Sequence, residues 1–214
     1  DYDNKIIEGD SLYFDKATEF ASATNNIQIT DTINDGVIRA HYAEVHKAKD
    51  SGFATKRAVS ISLVQKDSLY MHGDTLMVTG KEEERIVRAF RNAKFYKTDL
   101  SGKSDSIHFD EKTGITELIT DPILWNVDNQ ITGDSIHLIS DMETDKLDSL
   151  KVIENAFIIS LDTISGTGYN QAKGKNLFGK FIENELKIID LVQNTEVIYY
   201  VYNDDQELIG IDKT

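Results

Sequence analysis

The chain has 214 residues, of which 40% are hydrophobic, and this length is ordinary for a single all-β domain. Its 37 acidic and 23 basic residues give a net charge of −14, which argues against nucleic-acid binding because phosphate recognition needs a concentrated basic face. The absence of cysteine excludes disulfides, thiolate zinc sites and thiol catalysis, and no run of about 18 apolar residues predicts a membrane span.

In chain order, the first regular feature is a short phrase, GDSLYF at residues 9–14, in which Asp is followed by apolar residues at alternate positions. Related phrases return along the chain, with His or Lys in place of Asp in two weaker copies. The phrase centres are 31, 33, 31, 29 and 41 residues apart, and this period predicts a repeat protein. The six centres are Asp10, His41, Asp74, Asp105, Asp134 and Lys175.

A second phrase alternates with the first and lies 16 to 21 residues after each of its copies. It is a short apolar-alternating segment such as NIQI or NAKF, usually opened by Asn. Apolar residues at every second position predict a strand with one buried face, so each repeat holds two such segments. The centres of the second phrase are Asn26, Ala58, Asn92, Pro122, Asn155 and Asn194.

The apolar face changes phase at the first phrase. Ile7 lies three residues before its centre, whereas Leu12 and Phe14 lie two and four residues after it. A β-bulge or a sheet corner has this effect, and glycine tolerates the backbone of such a bend. A nucleophile elbow would need Gly-x-Ser-x-Gly between a strand and a helix, which is missing here. We therefore predict bends at Gly9, Gly73 and Gly133.

Residues 80–97, GKEEERIVRAFRNAKFYK, are compatible with a charged helix or with a polar turn followed by a strand. The repeat frame places NAKF in a strand, so we predict the strand, with at most a helical turn at its start. About twelve strands separated by turn signals predict an all-β solenoid, sandwich or roll. Because each strand has one apolar face to cover, we expect two sheets joined along the bends.

The phrases GDSLYFD, ATNNIQITD and IVRAFRNAKFYKTD resemble the repeats of the organic-solvent-tolerance (OstA, or LptA-like) family of periplasmic lipopolysaccharide-transport proteins. The resemblance extends from about Ile6 to Val201, and the Asp-, Lys-, Asn- and Tyr-rich repeats are most similar to the OstA-like proteins of the Bacteroidetes. It implies a β-jellyroll, or β-taco, in which two antiparallel sheets form an open-ended V with an apolar interior that carries acyl chains. The chain departs from the family pattern at His41 and Lys175.

The same resemblance implies a periplasmic location and edge-to-edge stacking with related β-jellyroll proteins. We expect residues 1–214 to form one such domain of about six two-strand repeats, cut from a longer protein. A targeting segment would then lie outside this sequence. Exposed edge strands also predict pairing between copies of the chain itself, as a homo-oligomer.

The repeat frame assigns one interior wall to residues that follow the first-phrase centres and the opposite wall to residues that follow the second-phrase centres. The resemblance implies that this set contacts lipid, whereas alternation alone favours a closed core, because every half-buried strand shows it. The expected interior residues of the first wall are Leu12, Phe14, Leu76, Val78, Ile107, Phe109, Ile136, Leu138 and Leu177. Those of the opposite wall are Ile27, Ile29, Ile61, Phe95, Trp125 and Ile158.

His108 and His137 lie three residues after successive centres, at outward positions where other copies carry Tyr13 and Met77. Two imidazoles on neighbouring strands can hold zinc, but the pattern fixes no acidic third ligand, so an ordinary cross-strand pair is favoured. An enzyme acting on carbohydrate would need two inward carboxylates, and the frame places none there. We therefore predict no metal, no cofactor and no enzymatic activity.

We favour a periplasmic β-roll that binds or passes lipopolysaccharide during outer-membrane assembly, with the acyl chains in its interior. The alternative is a structural or interaction module, a closed β-solenoid whose edge strands link neighbouring domains. The two hypotheses differ in the interior. Space for an acyl chain supports transport, and side chains packed to native density support the structural module.

Overall fold

The chain crosses the molecule repeatedly as extended segments, and the all-β prediction is confirmed. The computed structural model describes residues 5–33, 35–64, 67–144 and 146–214, where nineteen strands form one open sheet of antiparallel neighbours. A short 3-10 helix, Lys47–Lys49, follows β4. The strands are β1 (Lys5–Glu8), β2 (Ser11–Asp15), β3 (Phe20–Asp31), β4 (Gly36–His46), β5 (Ser51–Val64), β6 (Asp67–Thr79), β7 (Ile86–Lys97), β8 (Leu100–Asp110), β9 (Ile115–Ile119), β10 (Ile123–Asn126), β11 (Asn129–Thr132), β12 (Ser135–Ser140), β13 (Leu147–Ile153), β14 (Ala156–Leu161), β15 (Tyr169–Gly174), β16 (Asn176–Ile182), β17 (Glu185–Val192), β18 (Glu196–Tyr202) and β19 (Leu208–Lys213).

These strands combine into twelve crossings of the molecule within the described ranges. Strands β3 to β8 each make one uninterrupted crossing, and each of six further crossings consists of two short strands in line, such as β1 and β2. Strand β19 follows as a half-crossing. The predicted strands correspond to these crossings, although each crossing is longer than predicted because residues before the second-phrase centres, such as Phe20 to Thr24, are extended as well.

Each crossing bends at a β-bulge that sets two residues against one. Asn25 and Asn26 have φ of +58° and +48°, and the pairing between β3 and β4 skips these two residues on β3 and the single residue His41 on β4. Seven consecutive residue pairs with positive φ occur in the described chain. Six of them lie at these bends, one for each second phrase, and the seventh, Glu183–Asn184, forms the turn between β16 and β17. We call the line of bulges the crease. The six pairs are Asn25–Asn26, Lys56–Arg57, Arg91–Asn92, Thr120–Asp121, Glu154–Asn155 and Gln193–Asn194.

The crossings fold at the crease into two facing layers. The first layer contains β2, β9, β12, β13, β16, β17 and the matching halves of β3 to β8, and the second layer contains the other halves with β1, β10, β11, β14, β15, β18 and β19. Gly102 pairs with Leu124 in the second layer, yet a Cβ on Gly102 would lie 3.0 Å from Leu118 Cδ2 in the first layer. The expected pair of sheets joined along the bends is confirmed.

The predicted bends at Gly9, Gly73 and Gly133 are confirmed, but the reason for glycine is space. None of the three has a positive φ, because the strained backbone belongs to the residue pair on the facing strand. A Cβ on Gly133 would lie 2.2 Å from Val152 Cγ1, and one on Gly73 would lie 3.2 Å from Ala89 Cβ. A Cβ is therefore excluded at Gly133, and it would be tightly packed at Gly73 and at Gly9, where Asn25 O would lie 3.3 Å away.

Residues 86–97 form strand β7, and so the strand prediction for this stretch is confirmed. The preceding residues 81–84 form a turn. At the two ends of the sheet, the edge strands remain open. In the described chain β1 and β2 pair only with β3, β17 pairs only with β16, and β19 pairs only with β18.

Candidate functional site

The first layer presents two rows of side chains to the interior, at positions two and four after each first-phrase centre. The register places Leu76 beside Ala54 and Ala89, and Ile136 beside Leu118 and Val152. The predicted interior residues on this layer occupy these rows, but their exposure differs widely. Leu76, Ile107, Ile136, Leu138 and Leu177 are buried, Val78 and Phe109 are half-buried, and Leu12 and Phe14 on edge strand β2 are 55% and 51% exposed.

The second layer forms the opposite wall. Ile27, Phe95 and Ile158 are buried on its inner face, and Ile29 is half-buried and packs against the same core. Ile29 pairs with Ile7 on one side and Ile38 on the other, so an apolar row continues across neighbouring strands. The interior of the bent sheet is therefore apolar on both walls.

Trp125 lies on the outer face, and its predicted inward orientation is wrong. Its indole N–H donates to Gln130 Oε1 at 2.9 Å, and Lys103 Nζ lies 5.8 Å from the centre of its ring. The neighbouring Leu124 is fully buried instead and pairs with Ile131. Trp125 therefore contributes to the outer surface of the second layer rather than to the interior.

The predicted inward orientation of Ile61 is also wrong. Both errors arise because the repeat frame is displaced by one residue in these two crossings. The residues with positive φ end at Arg57 and Asp121, one position before Ala58 and Pro122, where the sequence pattern places the second-phrase centres. A strand exchanges its two faces when its frame shifts by one residue. The buried positions in these two crossings are therefore those aligned with Ala58 and Pro122 themselves.

The size of the buried side chains divides the interior into two sections. In strands β1–β7, the open section, seven of the eleven buried hydrophobic residues are alanine, and in strands β8–β17, the filled section, twelve of thirteen are larger. These counts refer to the described residues. The large buried residues of the filled section are Ile107, Leu118, Leu124, Ile131, Ile136, Leu138, Leu150, Val152, Ile158, Leu177, Phe181 and Leu186.

The open section has buried alanines along the crease and partly buried apolar residues farther from it. Ala23, Ala43 and Ala54 follow one another in register on the first layer, all at most 3% exposed. Farther from the crease, the wall residues Ile29 and Val87 are only partly buried. At the N-terminal edge, the exposed residues Leu12 and Phe14 on β2 extend the first-layer wall to the end of the sheet. We call this surface the groove.

Phe95 lies at the boundary between the groove and the filled section. A Cβ on Gly102, its partner on β8, would lie 2.5 Å from Phe95 Cε1 and 3.0 Å from Leu118 Cδ2. Only a residue without a side chain fits between this ring and the leucine of the facing layer. Phe95, Gly102 and Leu118 thus bring the two layers together, and we call them the end wall of the groove.

Asn126 joins the two layers at their outer rims in the filled section. Its side chain is buried, donates to the carbonyl oxygens of Asp99 at 2.9 Å and Asn184 at 3.0 Å, and accepts the N–H of Leu186 at 3.0 Å. Asp99 and Asn126 belong to the second layer, whereas Asn184 and Leu186 belong to the hairpin between β16 and β17 in the first. The filled section is therefore closed opposite the crease. No sequence pattern indicated this residue.

Asp162 forms a polar cluster between two loops at the rim of the second layer. Its buried carboxylate accepts the hydroxyl of Tyr202 and the backbone N–H of Ser165 at 3.0 Å. Hydrogen bonds from the side chains of Ser165 and Tyr202 lower the pKa of Asp162 from 3.8 to about 2. The carboxylate ties the loop after β14 to the end of β18, which is a structural role.

His108 and His137 are not direct neighbours, because Glu117 on β9 lies between them in the register. His137 Nε2 lies 3.8 Å from a carboxylate oxygen of Glu117, whereas burial lowers the pKa of His108 and leaves its Nε2 without a hydrogen bond. Within the described ranges, no group of three or more His, Asp or Glu side chains is arranged to hold a metal ion. His108, Glu117 and His137 form a row along the outer face of the first layer.

A family model and 15 chains of solved structures match this chain. A family model described as "LptA/(LptD N-terminal domain) LPS transport protein" matches residues 6–145. Among solved structures, LptH from Pseudomonas aeruginosa, the LptA-homologous periplasmic component of a lipopolysaccharide transport device, is similar with a TM-score of 0.47 and 13% identity, over 54% of this chain and 82% of that chain. No curated protein matches the chain. None of the described residues forms a helix long and apolar enough to cross a membrane.

Proposed function

The chain belongs to the family of lipopolysaccharide transport proteins that comprises LptA and the N-terminal domain of LptD, and we propose that it binds the acyl chains of lipopolysaccharide in the groove. In this proposal the protein carries an amphiphilic lipid and catalyses no chemical step. The proposed location is the periplasm, between the membrane that supplies the lipid and the outer membrane that receives it.

The observation that carries this proposal is the contrast between the two sections of the interior. A carrier of acyl chains needs a continuous apolar surface with an accessible end and few directional contacts. The groove has small residues along the crease, half-exposed apolar walls and an exposed pair, Leu12 and Phe14, at its edge. An acyl chain lying there would cover this surface, at about 25 cal/mol for each Å² removed from water.

The proposed cargo occupies the open section only. Beyond the end wall, large side chains close the interior, and the Asn126 contacts join the rims. Native cores are packed as densely as organic crystals, so a segment of this kind excludes an acyl chain. We therefore propose that lipid enters along the N-terminal edge and that its acyl ends stop at Phe95.

The proposed protein partners are related β-jellyroll domains that pair with the open edges. Strands β1 and β2 expose unpaired backbone groups beside the accessible end of the groove, and an added strand there would continue both layers. A partner docked at this edge would align its own interior with the groove. Pairing of two copies of this chain through the same edge is the corresponding proposal for self-association.

The test is photo-crosslinking to purified lipopolysaccharide with a benzoylphenylalanine probe at four aromatic positions. Phe14 and Phe95 lie at the two ends of the groove, Phe181 lies in the filled section, and Tyr13 points outward on the same strand as Phe14. The proposal expects adducts at Phe14 and Phe95. It expects none at Phe181 and only background at Tyr13.

Each probe replaces an aromatic ring, so the four variants carry comparable changes. Circular dichroism and thermal unfolding first establish that each variant is folded. Equal labelling at Phe14 and Tyr13 would mean adsorption to the surface, and folded variants without adducts at Phe14 and Phe95 would overturn the proposal. Adducts at Phe181 would contradict the assignment of the cargo to the open section.

A second candidate function is a structural module that links neighbouring domains without carrying lipid. The closed packing of the filled section favours it, since a stable end with free edge strands β17 and β19 is suited to docking. The photo-crosslinking experiment separates the two functions. A structural module would bind partner domains with no adduct in the groove.

A further inference from the structure

The polar residues at the crease differ between bulges. In two crossings the second residue of the positive-φ pair is an asparagine that donates to the facing aspartate: Asn26 to Asp10 at 3.0 Å and Asn155 to Asp134 at 2.9 Å. Where β4 meets β5, the facing residue is His41 and the pair is Lys56–Arg57. An acid and an amide are thus replaced by basic residues.

A pocket of about 260 Å³ opens on the outer surface beside this crossing. Gln28 on β3, Arg39 and His41 on β4 and Arg57 on β5 contribute its polar side chains. Gln28 and Arg39 are partners in the register, and Arg39 Nε donates to Gln28 Oε1 at 3.3 Å. This hydrogen bond fixes the guanidinium and leaves its two Nη groups available to a ligand.

The pocket is cationic in a strongly acidic protein. No carboxylate is among its lining residues, although the chain carries a net charge of −14. Three acids lie on the neighbouring strands. Glu8 is the partner of Gln28 in the register, Asp74 faces the Lys56–Arg57 pair from β6, and Asp10 accepts hydrogen bonds from Asn26. Within the described part of the chain, neither Arg39 nor Arg57 forms an ion pair.

We propose that this pocket binds a phosphate group. Two guanidinium groups and an imidazole line the pocket from two neighbouring strands, β4 and β5, and a tetrahedral phosphate presents oxygens in several directions. Arginine matches phosphate geometry with paired hydrogen bonds, and such charge-assisted bonds are about twice as strong as neutral ones. The same chemistry suits a free phosphate or a phosphate carried on a lipid headgroup. The site lies outside the groove, so this inference goes beyond the proposed acyl-chain binding.

The test is a titration of the folded, isotope-labelled chain with inorganic phosphate, followed by NMR at the arginine Nε–H groups and the His41 ring. Sodium chloride at equal ionic strength is the control titration. We expect saturable shifts at Arg39, His41 and Arg57. The substitutions Arg39→Gln and Arg57→Asn should each weaken binding about tenfold, which is the order expected for one lost charge-assisted contact.

The matched control variant is Arg91→Asn, which removes the same charge from another positive-φ pair on the crease. It should change phosphate affinity less than twofold. Asparagine is tolerated at positive φ, so both crease variants are expected to fold, and the signals of distant residues report this directly. Equal effects of Arg57→Asn and Arg91→Asn, or equal shifts with chloride, would overturn the proposal.

A second arm identifies the source of the phosphate. Phosphatidylcholine vesicles with and without phosphatidic acid are compared for binding to the chain and to its Arg57→Asn variant. Binding that needs phosphatidic acid and Arg57 assigns the pocket to a lipid headgroup, and a response to inorganic phosphate alone assigns it to a free anion. Adducts at Phe14 and Phe95 report on the groove, so either proposal can fail without the other.

Discussion

The side-chain amide of Asn155 donates to the carboxylate of Asp134 at 2.9 Å, across the crease and 21 residues away in the sequence. The N–H of Asp134 donates in turn to the carbonyl oxygen of Glu154 at 3.1 Å. This reciprocal contact joins one centre of the first phrase to one of the second. The same pairing of phrases occurs between Asn26 and Asp10, so at these two bulges the bend brings one residue of each phrase together.

Replacing Asn155 by alanine should lower the free energy of unfolding by about 2–4 kcal/mol. The variant loses a hydrogen bond to a charged group and forces an alanine into a left-handed backbone, each of which costs about 1–2 kcal/mol or more. Urea unfolding measures the loss. Asn155→Gly removes only the hydrogen bond and should lose about half as much, and an equal loss in both variants would show that the positive φ is not a source of the cost.

Gly133→Ala should destabilise the fold by about 1–3 kcal/mol, because the new Cβ would lie 2.2 Å from Val152 Cγ1 and overpacking of a core costs this much. Gly210→Ala is the control, since no atom lies within 4 Å of the corresponding Cβ. Thermal unfolding compares the two variants. The double variant Gly133→Ala, Val152→Ala should be less destabilised than the sum of its single changes, and strict additivity would contradict the steric explanation.

Asn126→Ala should open the rim of the filled section. The change leaves the N–H of Leu186 and the carbonyl oxygens of Asp99 and Asn184 without their partner, at a cost of about 2–4 kcal/mol. Hydrogen exchange at the Leu186 amide should accelerate by at least tenfold relative to amides of the open section. Unchanged protection of Leu186 would mean that packing, and not Asn126, closes this end.

Val78→Asp should weaken binding of lipopolysaccharide about tenfold, because it places a charge on the half-exposed wall of the groove. Met77→Asp is the matched control, since Met77 is the adjacent residue on β6, is also half-buried, and lies on the opposite face. Equilibrium binding of a fluorescent lipopolysaccharide measures both variants. An equal loss of affinity in the two would point to a general charge effect and against an interior binding surface.

Asp162 should make a pH-dependent contribution to stability. Its pKa falls from 3.8 to about 2 on folding, so the folded state favours the ionised form. The contribution is complete above pH about 5 and is lost as the pH falls towards 2. The difference in urea midpoint between the wild type and Asp162→Asn should therefore shrink between about pH 5 and about pH 2. A difference that does not change with pH would contradict the lowered pKa.

Much of the interior could be predicted from the sequence, because a strand has a period of two and the first-phrase centres mark its phase without error. Ile107, Ile136 and Leu177 lie where this phase places them. The prediction for Trp125 is wrong because the sequence pattern counts from Pro122, one residue after the positive-φ pair Thr120–Asp121. The pair of residues with positive φ, and not the first apolar residue, determines which side chains point inward after each bulge.

The division between the groove and the filled section could have been found from the sequence by comparing equivalent positions. Ala23, Ala43 and Ala54 belong to the same inner row as Ile107 and Leu118. The amino-acid sequence therefore shows that the side chains of this row become larger along the chain. The Asn126 contacts could not be predicted. They depend on which hairpins meet at the rim, 58 and 60 residues apart, and no local pattern encodes that distance.

The crease makes the length of this molecule adjustable. Because all crossings bend at the same level, inserting or deleting a pair of crossings would leave the cross-section unchanged and alter only the span of the roll. Neighbouring strands lie about 4.8 Å apart, so each added pair would extend the interior by about 10 Å. The size of the side chains in the inner row of each added pair would decide whether that pair resembles the open section or the filled section.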